Sequence, residues 1–167
     1  MEIRQALPQD AERLLQYLRI VGGETDNLTF GAEGFPASID EEAAFIQSLL
    51  DEGRSAMLLA WEDNEIIGCG SLLPLGRRMS HRGEVALSVR KSHWGRGTGS
   101  ALLGSLIEQA DRSDIEIISL EVRCDNKRAI HLYEKLGFRR IGTFPAFFRI
   151  GNEYIDFDIM VLDLRKI

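Results

Sequence analysis

The sequence predicts an α+β domain in which strands dominate and helices are inserted between them. Short runs of alternating apolar and polar residues recur along the chain, and the last two meet at Gly151-Asn152, a hairpin signal. Four further segments carry apolar residues at helical spacing. With 167 residues and 44% hydrophobic content, we expect one domain spanning residues 1–167, with an ample core.

The first third of the chain predicts one strand, two helices and a long connection. Residues 2–6 favour a strand, and Pro8 opens a helix that Gly22-Gly23 should close. Residues 24–38 have no clear period, as is typical of loops that form functional surfaces. A second helix over residues 41–50, capped by Ser38 or Asp40, should end at Gly53. Its expected inward residues are Ala44, Phe45, Leu49 and Leu50.

The remaining elements follow from alternation and turn residues. Strands are predicted over residues 55–62 and 65–73, joined at Asp63-Asn64, and over residues 84–89. After a glycine-rich turn and a third helix, the predicted elements are a strand over 115–122, a helix over 126–136 stopped by Gly137, and strands over 138–150 and 154–164.

The glycine-rich turn is the first candidate binding site. Gly95, Gly97 and Gly99 follow the strand over 84–89 and precede an apolar helical face. Glycines let backbone amides approach a ligand closely, and a helix N-terminus attracts anions. The turn predicts a pyrophosphate cradle, although the glycines alone fit a plain turn equally well.

Charge and cysteine usage narrow the function classes. The net charge of −6 argues against nucleic-acid binding, and no apolar run approaches membrane-spanning length. Residues 1–80 carry a net charge of −8 and residues 81–167 one of +2, so an anionic ligand suits the second half and a cationic one the first. Cys69 and Cys124 lie in apolar runs, which favours buried, reduced thiols and a cytoplasmic protein.

Other catalytic signatures fail on spacing. The glycines match neither the G-x-G-x-x-G dinucleotide fingerprint nor a Walker A loop, and there is no G-x-S-x-G elbow. The three histidines lack metal-ligand spacing, so no metal is expected. Neither cysteine has a histidine nearby in sequence that could activate it for covalent catalysis.

A second informative stretch covers the helix over 126–136. Asn126 and Tyr133 are seven residues apart and therefore share one helical face with Ala129 and Ile130. This face could line a narrow slot. Alternatively, Asn126 only caps the helix and Tyr133 belongs to the core.

Together these stretches resemble the GNAT superfamily of N-acetyltransferases. The pattern G-x-G-x-G-x-x-L-L is matched up to Leu103, and N-x-x-A-x-x-x-Y-x-x-x-G-F is matched from Asn126 to Phe138. The stretch from Gly151 to Met160 resembles the D-x-x-x-M pattern near the end of phosphinothricin-type and amino-acid-type members. One departure is Trp94, where the family's loop begins with Gln or Arg. The resemblance implies a GNAT-like fold: a mixed, mostly antiparallel, six- to seven-stranded sheet flanked by about four helices.

The resemblance also implies a cosubstrate, acetyl-CoA, and the residues that bind it. Backbone amides of the turn would hold its pyrophosphate, the strand's end would bind pantetheine amides, and Asn126 would hydrogen-bond in the slot. Tyr133 would protonate the departing thiolate. The expected cosubstrate residues are Leu87, Val89, Gly95, Arg96, Gly97, Thr98, Gly99, Ser100, Asn126 and Ala129.

The resemblance identifies the general base and the residues that bind the acceptor amine less closely than it identifies the cosubstrate site. Glu84 matches a glutamate of phosphinothricin-type members and would accept the proton of the amine, directly or through water; it could equally be a solvated residue at a strand start. His81 is a weaker candidate. Candidate acceptor residues are Asp26, Asn27 and Phe30 in the long loop and Tyr154 and Asp156 in the closing hairpin.

The expected activity is direct transfer of acetyl to a primary amine of a small molecule or a peptide N-terminus. Binding both substrates in one site would supply most of the rate acceleration, and a backbone amide of the central strand would polarise the acetyl carbonyl. The alternative is a non-catalytic acetyl-CoA-binding sensor module. Hairpin-mediated homodimers, frequent in the family, are a further expectation.

Overall fold

The computed structural model describes residues 1–166, which form one seven-stranded sheet and four α-helices. The strands are β1 (Glu2–Gln5), β2 (Ala56–Glu62), β3 (Glu65–Pro74), β4 (Arg82–Val89), β5 (Ile117–Arg123), β6 (Arg139–Ile150) and β7 (Glu153–Asp163). The helices are α1 (Ala11–Glu24), α2 (Ile39–Glu52), α3 (Thr98–Arg112) and α4 (Lys127–Lys135). The predicted α+β class is confirmed.

The sheet is divided near its centre. Its strand order is β1-β2-β3-β4-β5-β7-β6, and every neighbouring pair is antiparallel except the parallel pair β4 and β5. This parallel ladder extends only from Arg82 opposite Ile117 to Glu84 opposite Ser119. From Val85 onward the two strands have no paired residues, so the sheet opens into a split.

The helices cover the sheet from two sides. Helices α1 and α2 pack with β2 and β3 around a cluster that includes Leu14, Ile46 and Leu59. Helices α3 and α4 pack on the opposite face around Leu106, Ile118 and Met160. No helix within residues 1–166 is both long and apolar enough to cross a membrane.

Helix α1 does not end at Gly22-Gly23, as the sequence predicts, but continues to Glu24. A side chain at Gly22 would collide with the carbonyl oxygen of Gly31 in the loop over residues 24–38. Gly22 therefore allows the loop backbone to lie directly on the helix, and it does not act as a cap.

Helix α2 has the expected ends but a different buried face. Ser38 accepts a hydrogen bond from the Glu41 amide at 3.1 Å, completing a capping box, and Gly53 terminates the helix at φ +80°. The prediction that Ala44 and Phe45 point inward is wrong, because both are exposed. The buried face instead includes Ile46 and a carboxylate, Glu42.

Candidate active site

A cavity of about 830 Å³ lies at the split between β4 and β5. One side is lined by α3 and α4 residues, and the other by α1, α2 and an aromatic group from β6 and β7. Its lining includes Leu87, Val89, Thr98, Ser100, Asn126, Ala129 and Tyr133, and also Asn27, Phe30, Glu42, Phe45, Glu121, Phe147, Phe148 and Phe157. The split therefore gives one cavity access to both faces of the sheet.

The loop that leads into α3 presents a run of backbone donors. None of the N–H groups from Gly95 through Ser100 donates a hydrogen bond to any other residue within 1–166, whereas the Ala101 amide donates to the Gly97 carbonyl at 3.0 Å. Because unsatisfied amides and the helix dipole both attract negative charge, this loop is suited to a pyrophosphate.

The three glycines have different functions. Gly95 (φ +73°) and Gly97 (φ +87°) adopt left-handed backbone conformations that disfavour other residues. Gly99 is needed for packing, because an added side chain would lie 3.1 Å from Leu132 of α4. Gly97 and Gly99 line the cavity, while the Arg96 side chain is exposed and lies 3.7 Å from the Glu62 carboxylate.

Trp94, which departs from the family pattern, connects this loop to its neighbours. Its indole N–H donates a 2.8 Å hydrogen bond to the carbonyl of Val89, the last residue of β4. The guanidinium of Arg128 in α4 lies 4.3 Å from the centre of the indole ring, a cation–π distance. The side chain thus links the end of β4, the loop and α4.

Tyr133 combines burial with access to the cavity. It is 8% exposed, its ring packs against Phe138 at 5.9 Å, and its side chain lines the cavity. Burial raises the pKa of its phenol to about 12. The hydroxyl therefore keeps its proton at neutral pH and can donate it.

Asn126 caps α4, accepting a 3.3 Å hydrogen bond from the Ala129 amide at its side-chain oxygen. The side-chain oxygen of Asn126 therefore acts as a helix cap, which is one of the two alternatives left open by the sequence. Asn126 and Ala129 also line the cavity, so the face they share with Tyr133 does border a slot.

The structure separates the predicted base from the cavity. Glu84 forms the last residue pair of the parallel ladder, and its side chain is exposed and outside the cavity lining. Glu121, two residues beyond Ser119 in β5, lines the cavity instead. The Glu121 side chain is also exposed, at the open cavity, and its pKa is raised, first by partial burial and then by the charge of Glu84. Sequence reasoning missed Glu121, although it is a lone acidic residue within an apolar strand.

The candidate acceptor residues divide into two groups. Asn27 and Phe30 line the cavity, and Asp26 borders an adjoining cleft. The structure does not bring Tyr154 and Asp156 to the cavity. Tyr154 is 65% exposed, and the Asp156 carboxylate accepts a 2.8 Å hydrogen bond from the Ala146 amide within the hairpin.

Aromatic side chains and a second carboxylate were also missed. Phe147, Phe148 and Phe157 pack together, with ring centres 4.3–5.8 Å apart, and line the cavity. Phe45 and Glu42 reach the cavity from α2. Their spacing of three residues places them on one side of the helix, a signal that the apolar periodicity concealed.

Within the described residues, no group of three or more potential metal ligands occurs. Both cysteines are free thiols, and burial is the main cause of their raised pKa values, which reach about 12 for Cys69. A thiol that keeps its proton is a poor nucleophile.

A model of the Acetyltransferase (GNAT) family matches residues 24–138, more than half of the chain. The chain is 34% identical over 88 residues to the N-alpha-acetyltransferase RimI of Mycobacterium tuberculosis, covering 52% of this chain and 54% of that protein. It thus spans about half of that relative's length, and 23% of the length of an uncharacterised Mycobacterium leprae protein.

Two further similarities cover more of the chain. It is 31% identical over 112 residues to the L-amino acid N-acetyltransferase AaaT of Escherichia coli, covering 66% of this chain and 69% of that protein. The fold superimposes on a GNAT-family acetyltransferase from Streptococcus pneumoniae with a TM-score of 0.94 and 30% identity, covering 97% and 98% of the two chains.

Proposed function

The chain belongs to the GNAT family of acetyltransferases, and we propose that it transfers acetyl from acetyl-CoA directly to a primary amine of a small molecule or a peptide N-terminus. One observation carries the proposal. A single cavity brings together the unpartnered amides that lead into α3, the split beside β4 and the phenol of Tyr133.

The residues present suit acetyl-CoA. The N–H groups from Gly95 to Ser100 would hold the pyrophosphate of acetyl-CoA, and the Asn126 side chain would contact the pantetheine portion of the same molecule. Beyond Glu84, the polar backbone groups of β4 that point away from β3 have no partner in β5, although the Val89 carbonyl is satisfied by Trp94. These groups are available for pantetheine amides, and one N–H would polarise the reacting carbonyl. Acetyl-CoA supplies the activated acetyl group.

Proton transfer requires one acid and one base on this chain. Tyr133 would donate its proton to the departing sulfur, which is a weak base and needs no strong acid. Glu121 would accept the proton of the amine, because it is the β5 carboxylate that lines the cavity. Glu84 would act through Glu121 by raising its pKa.

The acceptor class is supported by the site and by the names of relatives. RimI is named for acetylation of α-amino groups, and AaaT for acetylation of L-amino acids. The aromatic group and the loop residues Asn27 and Phe30 would surround the acceptor at the open end of the cavity.

Two measurements test the proposal. Acetyl-CoA at 100 times its Kd should add about 2.7 kcal/mol to the free energy of unfolding, and thiol release should accompany acetylation of some amines in a panel of amino acids, polyamines, antibiotics and peptides. Absence of a thermal shift would overturn the proposal. A shift without thiol release from any amine would instead support a non-catalytic sensor.

We also propose that the chain forms a homodimer through its edge strand. Strand β6 ends the sheet, and its apolar side chains Ile141, Phe144 and Ile150 are 57%, 50% and 39% exposed. A long apolar edge strand is an aggregation hazard unless it is covered, and a second copy would cover it. Light scattering should give twice the monomer mass, and Ile141→Lys should reduce it; a monomeric wild type would contradict the dimer.

A further inference from the structure

Glu42 is an unusual residue for the inner face of α2. It is 3% exposed, and its side chain takes part in no hydrogen bond or ion pair with any residue of 1–166. Buried carboxylates are normally paired, because leaving a charge unpaired away from water is costly. Glu42 lines the cavity, so a cationic ligand bound there is in position to supply the missing partner.

The surroundings of Glu42 are apolar. Leu14 and Leu18 of α1, Phe45 of α2 and Met57 of β2 line the same end of the cavity. Burial raises the pKa of Glu42, and its charge in turn contributes to the raised pKa of Cys69 in β3. Glu42 and Cys69 line the same cavity, and Cys69 packs against the cluster formed by α1, α2, β2 and β3, so Glu42 lies at this end of the cavity.

The reaction centre lies at the other end of this space. Cys69 pairs with Ser88 of β4, and the split is on the far side of β4. Since neighbouring strands are about 4.8 Å apart, roughly 10 Å separates the carboxylate end from the split. An extended acceptor can therefore place one end at the split and the other end near Glu42.

On the basis of the proposed acetyltransferase activity, we propose that Glu42 binds a second cationic group of the acceptor, which is a diamine-like compound with an apolar stem. One amine lies at the split beside Glu121 and is acetylated. The stem lies along the walls formed by Leu18, Phe45 and Met57, and the distal ammonium pairs with Glu42. The excess negative charge of residues 1–80 favours the same cationic class.

The test compares cadaverine with pentylamine, which has the same stem without the distal ammonium. Thiol-release kinetics of the full chain with acetyl-CoA should give a kcat/KM for cadaverine at least tenfold above that for pentylamine. Glu42→Gln should abolish this preference by raising the KM for cadaverine, with the kinetics of pentylamine unchanged. Because Gln has nearly the same shape and removes an unpaired buried charge, the variant should fold.

Asp40→Asn is the matched control, since it removes an exposed carboxylate from the same helix; it should retain the preference. Equal kcat/KM for both amines in the wild type, or an unchanged preference in Glu42→Gln, would overturn this inference while leaving the acetyltransferase proposal intact. An equal loss of kcat with both amines would also overturn it and make Glu42 a general base. Failure of every amine to release thiol would overturn both proposals.

Discussion

Trp94 and Val89 are joined by a 2.8 Å hydrogen bond from the indole N–H to the main-chain carbonyl, across the point where β4 becomes the glycine-rich loop. This bond satisfies a carbonyl that faces a gap in the sheet, and so fixes the loop relative to the strand. The residue that departs from the family pattern thus has a structural function here.

Trp94→Phe should weaken CoA binding roughly five- to tenfold, because a net loss of ~1 kcal/mol accompanies removal of a hydrogen bond and the loop is then less well fixed. Calorimetric titration with CoA measures the change. Trp61→Phe is the matched control, because the buried Trp61 N–H has no partner within residues 1–166. Equal CoA affinities in the two variants would show that the Trp94 bond does not organise the loop.

Tyr133→Phe should lower kcat roughly a hundredfold, within the range typical of a lost general acid. The Kd for acetyl-CoA should change little, because the ring and its packing against Phe138 are retained. Thiol-release kinetics together with a binding titration separate the two effects. Undiminished turnover would remove Tyr133 from the chemistry.

Glu121 and Glu84 can be distinguished by their pH–rate profiles. Glu121→Gln should remove the acidic limb of kcat/KM and most of the activity. Glu84→Gln should shift that limb to lower pH, because loss of the neighbouring negative charge lowers the pKa of Glu121. If Glu84 is itself the base, as the sequence suggested, Glu84→Gln will show the large loss and Glu121→Gln will not.

The ion pair between Arg4 and Asp10 predicts how stability depends on pH. Two hydrogen bonds of 2.7 and 2.8 Å join the side chains, and bonding to Arg4 is the main cause of the lowered pKa of the buried Asp10. The stabilisation is present above the ordinary carboxyl pKa and is lost as pH falls through the lowered one. Acid should therefore destabilise the wild type.

Asp10→Asn should cost roughly 2–3 kcal/mol at pH 7, less than for a fully buried pair because Arg4 is partly exposed, and should weaken the acid dependence. Urea unfolding from pH 7 to acid pH measures both quantities, with the exposed Asp40→Asn as control. Equal stabilities of the two variants at pH 7 would contradict a stabilising role for the pair.

The sequence predicted the strands and most helix ends well, because alternation, capping residues and turn glycines act locally. Strand and helix limits other than those of α1 agree to within two residues where both ends were predicted. The pair Gly22-Gly23 predicted a helix end that does not occur. Gly22 is required because the loop backbone at Gly31 packs directly against the helix, and this contact cannot be recognised from the local sequence.

The two halves of the site were not equally predictable. The glycine turn and the pair of Asn126 and Tyr133 are contiguous signals, so spacing alone indicated them. Glu121 and the rings of β6 and β7 come together because the strand order places β7 beside β5, whereas Glu42 reaches the same cavity from α2. A carboxylate on an apolar helix face also gives no periodic signal, which explains why Glu42 was overlooked.

The short parallel ladder has a mechanical consequence. Strands β1 to β4 and strands β5 to β7 form two leaves that share only three residue pairs of backbone, so their relative position depends on side chains of the common core such as Leu120 and Val85. A molecule inserted into the gap with its own amide groups would act as an additional strand and stiffen the joint. Occupancy of the split and rigidity of the whole sheet should therefore rise together.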